Sequence, residues 1–209
     1  MTDTLSSGIS DRVVRFLAMA GVLAHYIADA CMPLHNTKYH HGLVNASKKE
    51  QQVHNYIDNN ILSAEKGELL RQAFSSIGSN PPFQRIDGGR DWGQRTMALL
   101  VYTYTRLHPK KIVETYNETL GWDWRRRYNH VIAEIGVPLR RCIARGTVRL
   151  AEIWENAWRQ GGGNALADSS LVQVEKPDLS ELYLDKDGFL PCRLLKDLTV
   201  NGTDRLVPK

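Results

Sequence analysis

The sequence predicts an all-α protein, a multi-helix bundle followed by a small C-terminal tail that is partly extended. Apolar residues recur at intervals of three and four positions through most of the chain up to Gln160, which is the period of an amphipathic helix. Three glycines, Gly161 to Gly163, then end this pattern. The composition, 42% hydrophobic and 24% charged, is typical of globular proteins and excludes disorder throughout. We therefore expect a helical domain over residues 1–163 and a tail over residues 164–209.

The helix boundaries follow from capping residues and prolines. Ser10 can cap a first helix, and Pro33 ends it because proline disfavours the helical conformation in the residue before it. Asp91 can cap a later helix, and a long helical pattern from Asp123 to Gln160 is expected to bend near Pro138. The predicted helices are Ser10–Met32, Ser47–Leu62, Ser63–Ile77, Asp91–His108, Ile112–Leu120 and Asp123–Gln160.

The tail differs from the helical domain in both pattern and charge. Strand-like runs between Leu182 and Leu195 flank the turn sequence Asp185 to Gly188, which predicts a β-hairpin. Residues 164–209 carry six basic and eight acidic groups, whereas residues 121–163 carry eight basic and four acidic groups. The formal net charge of +4 therefore depends on one arginine-rich segment.

That segment contains an aromatic and basic run, Trp122 to Tyr128, of a kind that suits nucleic acid or phospholipid headgroups. On a helix, however, Trp124, Tyr128 and Val131 share one face, which favours an aromatic core face with the arginines in solvent. The second interpretation is the stronger, and the first is kept as an alternative.

We expect no transmembrane segment, because no stretch of about 20 uncharged apolar residues is present. The nearest candidate, Val13 to Met32, is interrupted by Arg15, His25 and Asp29. The residues before it are polar and have no positive cluster, so no signal peptide is expected. As written, the sequence suits a cytoplasmic protein, or an exported one if the N-terminus is truncated.

Histidine and aspartate recur at a spacing that suits metal binding. His25 and Asp29 are four residues apart on the first predicted helix, and His54 and Asp58 repeat that spacing on the second. Side chains at this spacing project from the same helix face, and His35 follows just after Pro33. Imidazole and carboxylate are the ligands that zinc takes where cysteine is absent. These five side chains therefore predict a zinc site between two helices.

A single His–Asp pair is usually only a hydrogen bond, so the prediction of a metal site depends on the two pairs and His35 together. Two pairs and His35 occur in an otherwise apolar stretch, where a buried carboxylate needs a counter-charge. The adjacent His40 and His41 are weaker candidates for substitute ligands, because neighbouring side chains point in different directions. The three cysteines are too few and too scattered for a disulfide framework or a four-cysteine zinc site.

The segment from Leu23 to Asp29, followed by Met32 to His35, resembles the core motif of the zinc-dependent phospholipase C and single-strand-specific nuclease superfamily. That motif reads His, three residues, Asp, and then Pro-Leu-His. His54 and Asp58 match a second element of the family, and Arg145 to Ala151 weakly resembles the glycine-centred start of its last helix. The resemblance covers roughly Val13 to Trp158.

The resemblance implies a helical bundle of the phospholipase C and nuclease type that holds three zinc ions and hydrolyses phosphoesters. His35, His54 and Asp58 would complete one zinc site with an open position, while His25 and Asp29 would serve the neighbouring metals. Asp29 would be the bridging carboxylate with the catalytic role. The implied activity is that of a zinc-dependent phosphodiesterase, and the implied substrates are phospholipid headgroups or single-stranded nucleic acid.

The upstream ligands of the family are missing, because the 24 residues before His25 contain no histidine and no tryptophan. A truncated chain, a degenerate family member, or a partner chain that supplies the missing ligands would each account for this. Two other functions stay open at this point. One is a non-catalytic helical module with a structural zinc site, and the other is a basic module that binds membranes or nucleic acid.

Overall fold

The structure, a computed structural model, describes residues 2–64, 67–68, 71, 74–75, 85–86 and 88–165. Within these ranges the chain is all-α, and no strand occurs in them. The predicted hairpin over Leu182 to Leu195 and nearly all of the tail over 164–209 lie outside the described residues. The chain divides into two compact units, and the unit Leu23–Gly161 contains every side chain of the candidate site.

The first helix, α1, runs from Thr2 to Cys31. Its end agrees with the prediction, because the chain leaves the helix just before Pro33. Its start does not, since Ser10 lies inside the helix. A serine caps a helix only where the preceding backbone leaves the helical conformation, and no proline before Ser10 forces it to do so.

By length and composition alone, the part of α1 from Val13 to Cys31 is apolar enough to cross a membrane. The core helix of a soluble protein and a signal sequence have the same properties. The last turns of this stretch carry Asp29 and pack Ile27 and Ala30 into the core of the protein.

The second helical segment, α2, covers residues 50–64 and changes its winding along its length. Glu50–Gln52 is a 3₁₀ turn, Val53–Asn55 is α-helical, Tyr56–Ile61 is a π-helix, and Leu62–Ala64 is α-helical again. The sequence predicts this helix but not its π segment. The described residues between positions 67 and 75 are also helical, which agrees with the helix predicted over Ser63–Ile77 as far as that range is described. These residues are Gly67, Glu68, Arg71, Phe74 and Ser75.

In the described ranges from residue 88 onward, three α-helices follow, α3 (Gly88–Arg106), α4 (Pro109–Glu118) and α5 (Trp124–Gln160), and a short 3₁₀ helix covers Gly163–Ala165. Helix α3 begins before Asp91, whose Oδ1 accepts from Arg95 Nε at 3.1 Å, so this carboxylate pairs along the helix. Helix α4 begins earlier than predicted because Pro109 occupies its first turn, where a missing N–H costs nothing. Helix α5 begins as predicted, with Asp123 Oδ1 accepting from Arg126 N at 3.0 Å.

The main core lies between α2, α4 and α5, and it fixes the position of the candidate site. Each helix contributes fully buried aliphatic side chains, among which Val53, Ile57 and Ile61 come from α2. Leu34, in the turn after α1, is also fully buried in this cluster. The site therefore lies on a segment of α2 and on a turn that are both anchored in the core.

Candidate metal centre

The turn after α1 brings His35 to α2. Pro33 ends the helix, and His35 N donates to Met32 O at 3.1 Å, which closes the turn. Asn36 Nδ2 donates to Asp29 O at 2.6 Å and ties the turn back to the helix end. Because the neighbouring Leu34 is fully buried, the side chain of His35 is held against the face of α2 that carries the other candidate ligands.

Helix α2 presents His54 and Asp58 beside its buried face. Val53 and Ile57 are fully buried, and the candidate ligands are each one position further along the chain. His54 Nε2 lies 3.1 Å from Asp58 Oδ2. Asp58 belongs to the π segment, and such segments occur frequently at functional sites.

Three ligand atoms from the turn and from α2 converge. The Nε2 atoms of His35 and His54 are 2.8 Å apart, and Asp58 Oδ2 lies 3.1 Å from each of them. The three side chains are half-buried, with 22–27% of their surface exposed. These residues form the group that could hold a metal ion in the described part of the chain.

The contacts of the two His35 ring nitrogens show why this triangle suits a cation. Its Nδ1 lies 2.8 Å from Asp29 Oδ1, so the single N–H of the neutral ring belongs on that nitrogen. Nε2 then presents a lone pair to Asp58 Oδ2, which has only lone pairs to offer. Two facing acceptors repel unless a proton or a metal ion lies between them. Asp58 Oδ1 is also buried without a hydrogen-bond partner, so the carboxylate has unused acceptor capacity.

The spacing of the three atoms is also close to what a metal requires. In a tetrahedral zinc site with bonds of about 2.0–2.1 Å, neighbouring ligand atoms lie about 3.3 Å apart. The three separations here, 2.8 Å and twice 3.1 Å, need to widen only slightly. The residues present therefore fit a metal ion.

The structure places the other two predicted ligands, Asp29 and His25, outside the triangle. Asp29 contacts the far nitrogen of His35, where a carboxylate commonly orients a metal-bound imidazole. This position differs from that of the bridging, catalytic carboxylate that the family resemblance implies. His25 Nε2 lies 3.5 Å from Asp29 Oδ2, and its side chain is 73% exposed.

The structure also brings His40 to the cluster. Its ring centroid lies 4.0 Å from that of His54 and 5.7 Å from that of His35. Burial lowers the pKa of His54, and the neighbouring His35 and His41 lower it further, against the opposing effect of Asp58. Burial also lowers the pKa of His40, with His54 as the next cause. Both shifts favour the neutral imidazole, which is the form that binds metals.

The chain matches no protein-family model, and no solved structure matches it. It is 24% identical over 196 residues to a probable serine protease of Bradyrhizobium tropiciagri. The aligned region covers 86% of this chain but 25% of the relative, so the chain spans about a quarter of the length of the curated protein that it matches.

This relative overturns the function that the family resemblance implies. A probable serine protease points to the hydrolysis of peptide bonds, so the expected zinc-dependent phosphodiesterase is wrong. The two alternative functions, the structural zinc module and the basic module, receive no support from the comparison. The family resemblance misled because its His–Asp motif reflects what a metal site requires and carries no information about a reaction.

Asp29 and His35 resemble two members of a serine protease triad, but their surroundings do not suit that role. In a triad, the carboxylate holds one ring nitrogen and the serine hydroxyl approaches the other. Here the other nitrogen, Nε2 of His35, faces His54 Nε2 and Asp58 Oδ2 within 3.1 Å. The place of a nucleophile is taken, so this cluster fits a metal better than a triad.

Proposed function

We propose that this chain is a metal-binding helical domain related to part of a serine protease, and that its ion is zinc. The observation that carries the proposal is the triangle of His35 Nε2, His54 Nε2 and Asp58 Oδ2, with all separations between 2.8 and 3.1 Å. The relation to a protease rests on the alignment with a quarter of the Bradyrhizobium protein.

The donor set favours zinc among the common divalent ions. Two imidazole nitrogens and one carboxylate oxygen suit zinc, whereas calcium and magnesium prefer sites made only of oxygen. Asp29 would hold His35 with Nε2 turned toward the ion. A zinc ion bound there supplies a fixed positive charge that joins the turn after α1 to α2.

The first test is the zinc content and zinc affinity of the full chain, measured by elemental mass spectrometry and by competition with a chromogenic chelator. We expect one zinc ion per chain. His35→Ala and His54→Ala each remove a ligand and should weaken binding by more than the roughly 10- to 100-fold that is typical of losing a group behind a ligand.

His130→Ala is a matched control for these variants. His130 also pairs with a carboxylate, Glu118 Oε2 at 3.4 Å, but it lies on α5 outside the cluster. We expect its zinc affinity to equal that of the wild type. A wild-type chain without stoichiometric zinc, or ligand variants that bind zinc as tightly as this control, would refute the metal site.

The relation to proteases has a separate test. A fluorophosphonate probe reacts with activated serines, and peptide mapping locates the serine that it labels. We expect the probe to label the protein outside residues 23–161, because the described cluster leaves no place for a nucleophile beside His35. An unlabelled protein, or a label within residues 23–161, would contradict this part of the proposal.

A further inference from the structure

We propose that His40 is the fourth ligand of the same metal ion, so that side chains of this chain alone complete its coordination. The inference rests on the proposed metal site and changes the number of protein ligands at the ion from three to four. The family resemblance implies an open position for water or substrate at the ion held by His35, His54 and Asp58. With His40 bound, that position belongs to the protein.

The first argument is proximity to both histidine ligands. The ring of His40 lies 4.0 Å from that of His54 and 5.7 Å from that of His35, measured between centroids. The ring plane of His40 makes an angle of 38° with that of His54 and 29° with that of His35, so His40 lies alongside the pair. In this structure only His35, His54 and Asp58 bring three ligand atoms within 4.8 Å of one another among the described residues. Ligation by His40 therefore requires its side chain to rotate and turn a nitrogen toward the ion, a motion that is fast for a partly exposed residue.

The second argument is that the backbone holds His40 in place. His40 N donates to Thr37 O at 3.4 Å, and Gly42 N donates to Tyr39 O at 3.0 Å, so two consecutive turns enclose the residue. Gly42 has a φ of +92°, which other residues rarely adopt. A Cβ there would lie 3.1 Å from Ala46 Cβ and 3.3 Å from Glu50 O. This close contact joins the turn to the start of α2.

The third argument is that the other nearby donors are engaged elsewhere. Asp29 contacts Nδ1 of His35, on the far side of that ring, and His25 contacts Asp29. His41 is exposed, and its ring contacts that of His40 at a centroid distance of 4.4 Å. Of the two adjacent histidines, His40 is therefore the one in contact with the ligands.

The test replaces zinc with cobalt(II), whose visible spectrum reports the number and type of its ligands. We expect the wild-type chain to show the intense absorption of four-coordinate cobalt and to be unaffected by added azide. In His40→Ala, water takes the fourth position. The cobalt spectrum should then change and respond to azide, and zinc affinity should fall by at least about tenfold.

His41→Ala is the matched control, because it removes an adjacent and exposed histidine from the same loop. His40→Phe separates ligation from packing, since phenylalanine keeps a ring against His54 but has no nitrogen. We expect His41→Ala to behave as the wild type and His40→Phe to behave as His40→Ala. Far-ultraviolet circular dichroism checks that all three variants are folded.

The outcomes separate this inference from the proposal on which it rests. A wild-type chain that binds zinc and cobalt, with His40→Ala unchanged in affinity and spectrum, overturns the role of His40 alone. Recovery of wild-type behaviour in His40→Phe assigns His40 to packing and also overturns it. A wild-type chain that binds neither metal overturns the site and the inference together.

Discussion

The imidazole of His35 makes different contacts through its two nitrogens, and this asymmetry organises the site. Nδ1 contacts Asp29 Oδ1 at 2.8 Å, while Nε2 faces His54 and Asp58. An acidic partner on one nitrogen fixes the tautomer and increases the basicity of the other. In the proposed metal site, Asp29 would therefore position the ligand His35.

This role predicts the effect of Asp29→Asn. The amide keeps the shape of the side chain but removes its charge, so zinc affinity should fall by about 10- to 100-fold. Asp58→Asn changes a proposed direct ligand and should lower zinc affinity more than Asp29→Asn does. Chelator competition on both variants gives the ranking. An equal loss in the two variants would instead support the bridging carboxylate that the family resemblance implies for Asp29.

Sequence spacing predicts the residues of the site better than their roles. The interval of four between His54 and Asp58 survives in the structure as a 3.1 Å contact, because a helical turn fixes it. The roles of Asp29 and His40 depend on the loop between α1 and α2, whose path is set by turns and by Gly42. The periodicity of apolar residues does not predict the path of such a loop, although a glycine with a positive φ is a local feature of turns.

Among the helices, the approach of α1 to α5 at Gly146 is close enough to make a strong prediction. A Cβ on Gly146 would lie 2.6 Å from Cys31 Cβ and 2.7 Å from Cys31 Sγ. Gly146→Ala should therefore destabilise the protein by about 1–3 kcal/mol through overpacking, despite the better helix propensity of alanine. Urea unfolding of the two proteins measures the difference.

Gly93→Ala on α3 is the control for this substitution. A Cβ on Gly93 would meet nothing within 4 Å, so only helix propensity changes. The free energy of unfolding of the variant should therefore rise by roughly 0.5–1 kcal/mol. Changes of the same sign in both variants would show that α1 and α5 tolerate a wider separation. Burial at this contact raises the pKa of the Cys31 thiol to about 12, so it stays neutral at physiological pH.

The helix ends show what local sequence can predict. Pro33 and Asp123 set boundaries through steric and capping effects within a few residues. The predicted helix end before Pro33 and the predicted helix start at Asp123 are confirmed, whereas the capping contact of Asp123 is seen only in the structure. The family resemblance places Gly146 near the start of a last helix, whereas it lies well inside α5, which begins at Trp124. Glycine is required at position 146 because Cys31, which is distant in sequence, packs against it. The sequence of α5 alone does not predict this contact.

For the whole molecule, the net charge of +4 is a weaker indication of a partner than it first seems from composition. The guanidinium of Arg127 lies over the rings of Tyr56 and Tyr116, with centroid distances of 4.0 and 4.2 Å. Arg149 pairs with the buried carboxylate of Glu152. These two cations stabilise the fold through contacts within the chain, so the arginine-rich segment presents less free charge than its sequence suggests.

The proposed ion also predicts how stability depends on zinc. Zinc that binds only the folded chain stabilises it by RT ln(1 + [Zn]/Kd), which is about 2.7 kcal/mol at a free concentration of 100 times Kd. We therefore expect the melting temperature to rise with zinc concentration and to return to its initial value with a chelator. Calorimetry across a zinc titration measures both shifts.

The location of that stabilisation distinguishes a specific site from general zinc binding. The three proposed ligands lie on the turn after α1 and on α2, so hydrogen exchange should slow most in residues 32–64 when zinc is added. Surface binding would slow exchange elsewhere or stabilise every variant alike. The double variant His35→Ala/His54→Ala should show neither the thermal shift nor the local protection. If its melting temperature rises with zinc as much as that of the wild type, the ion acts at another place and the assigned ligands are wrong.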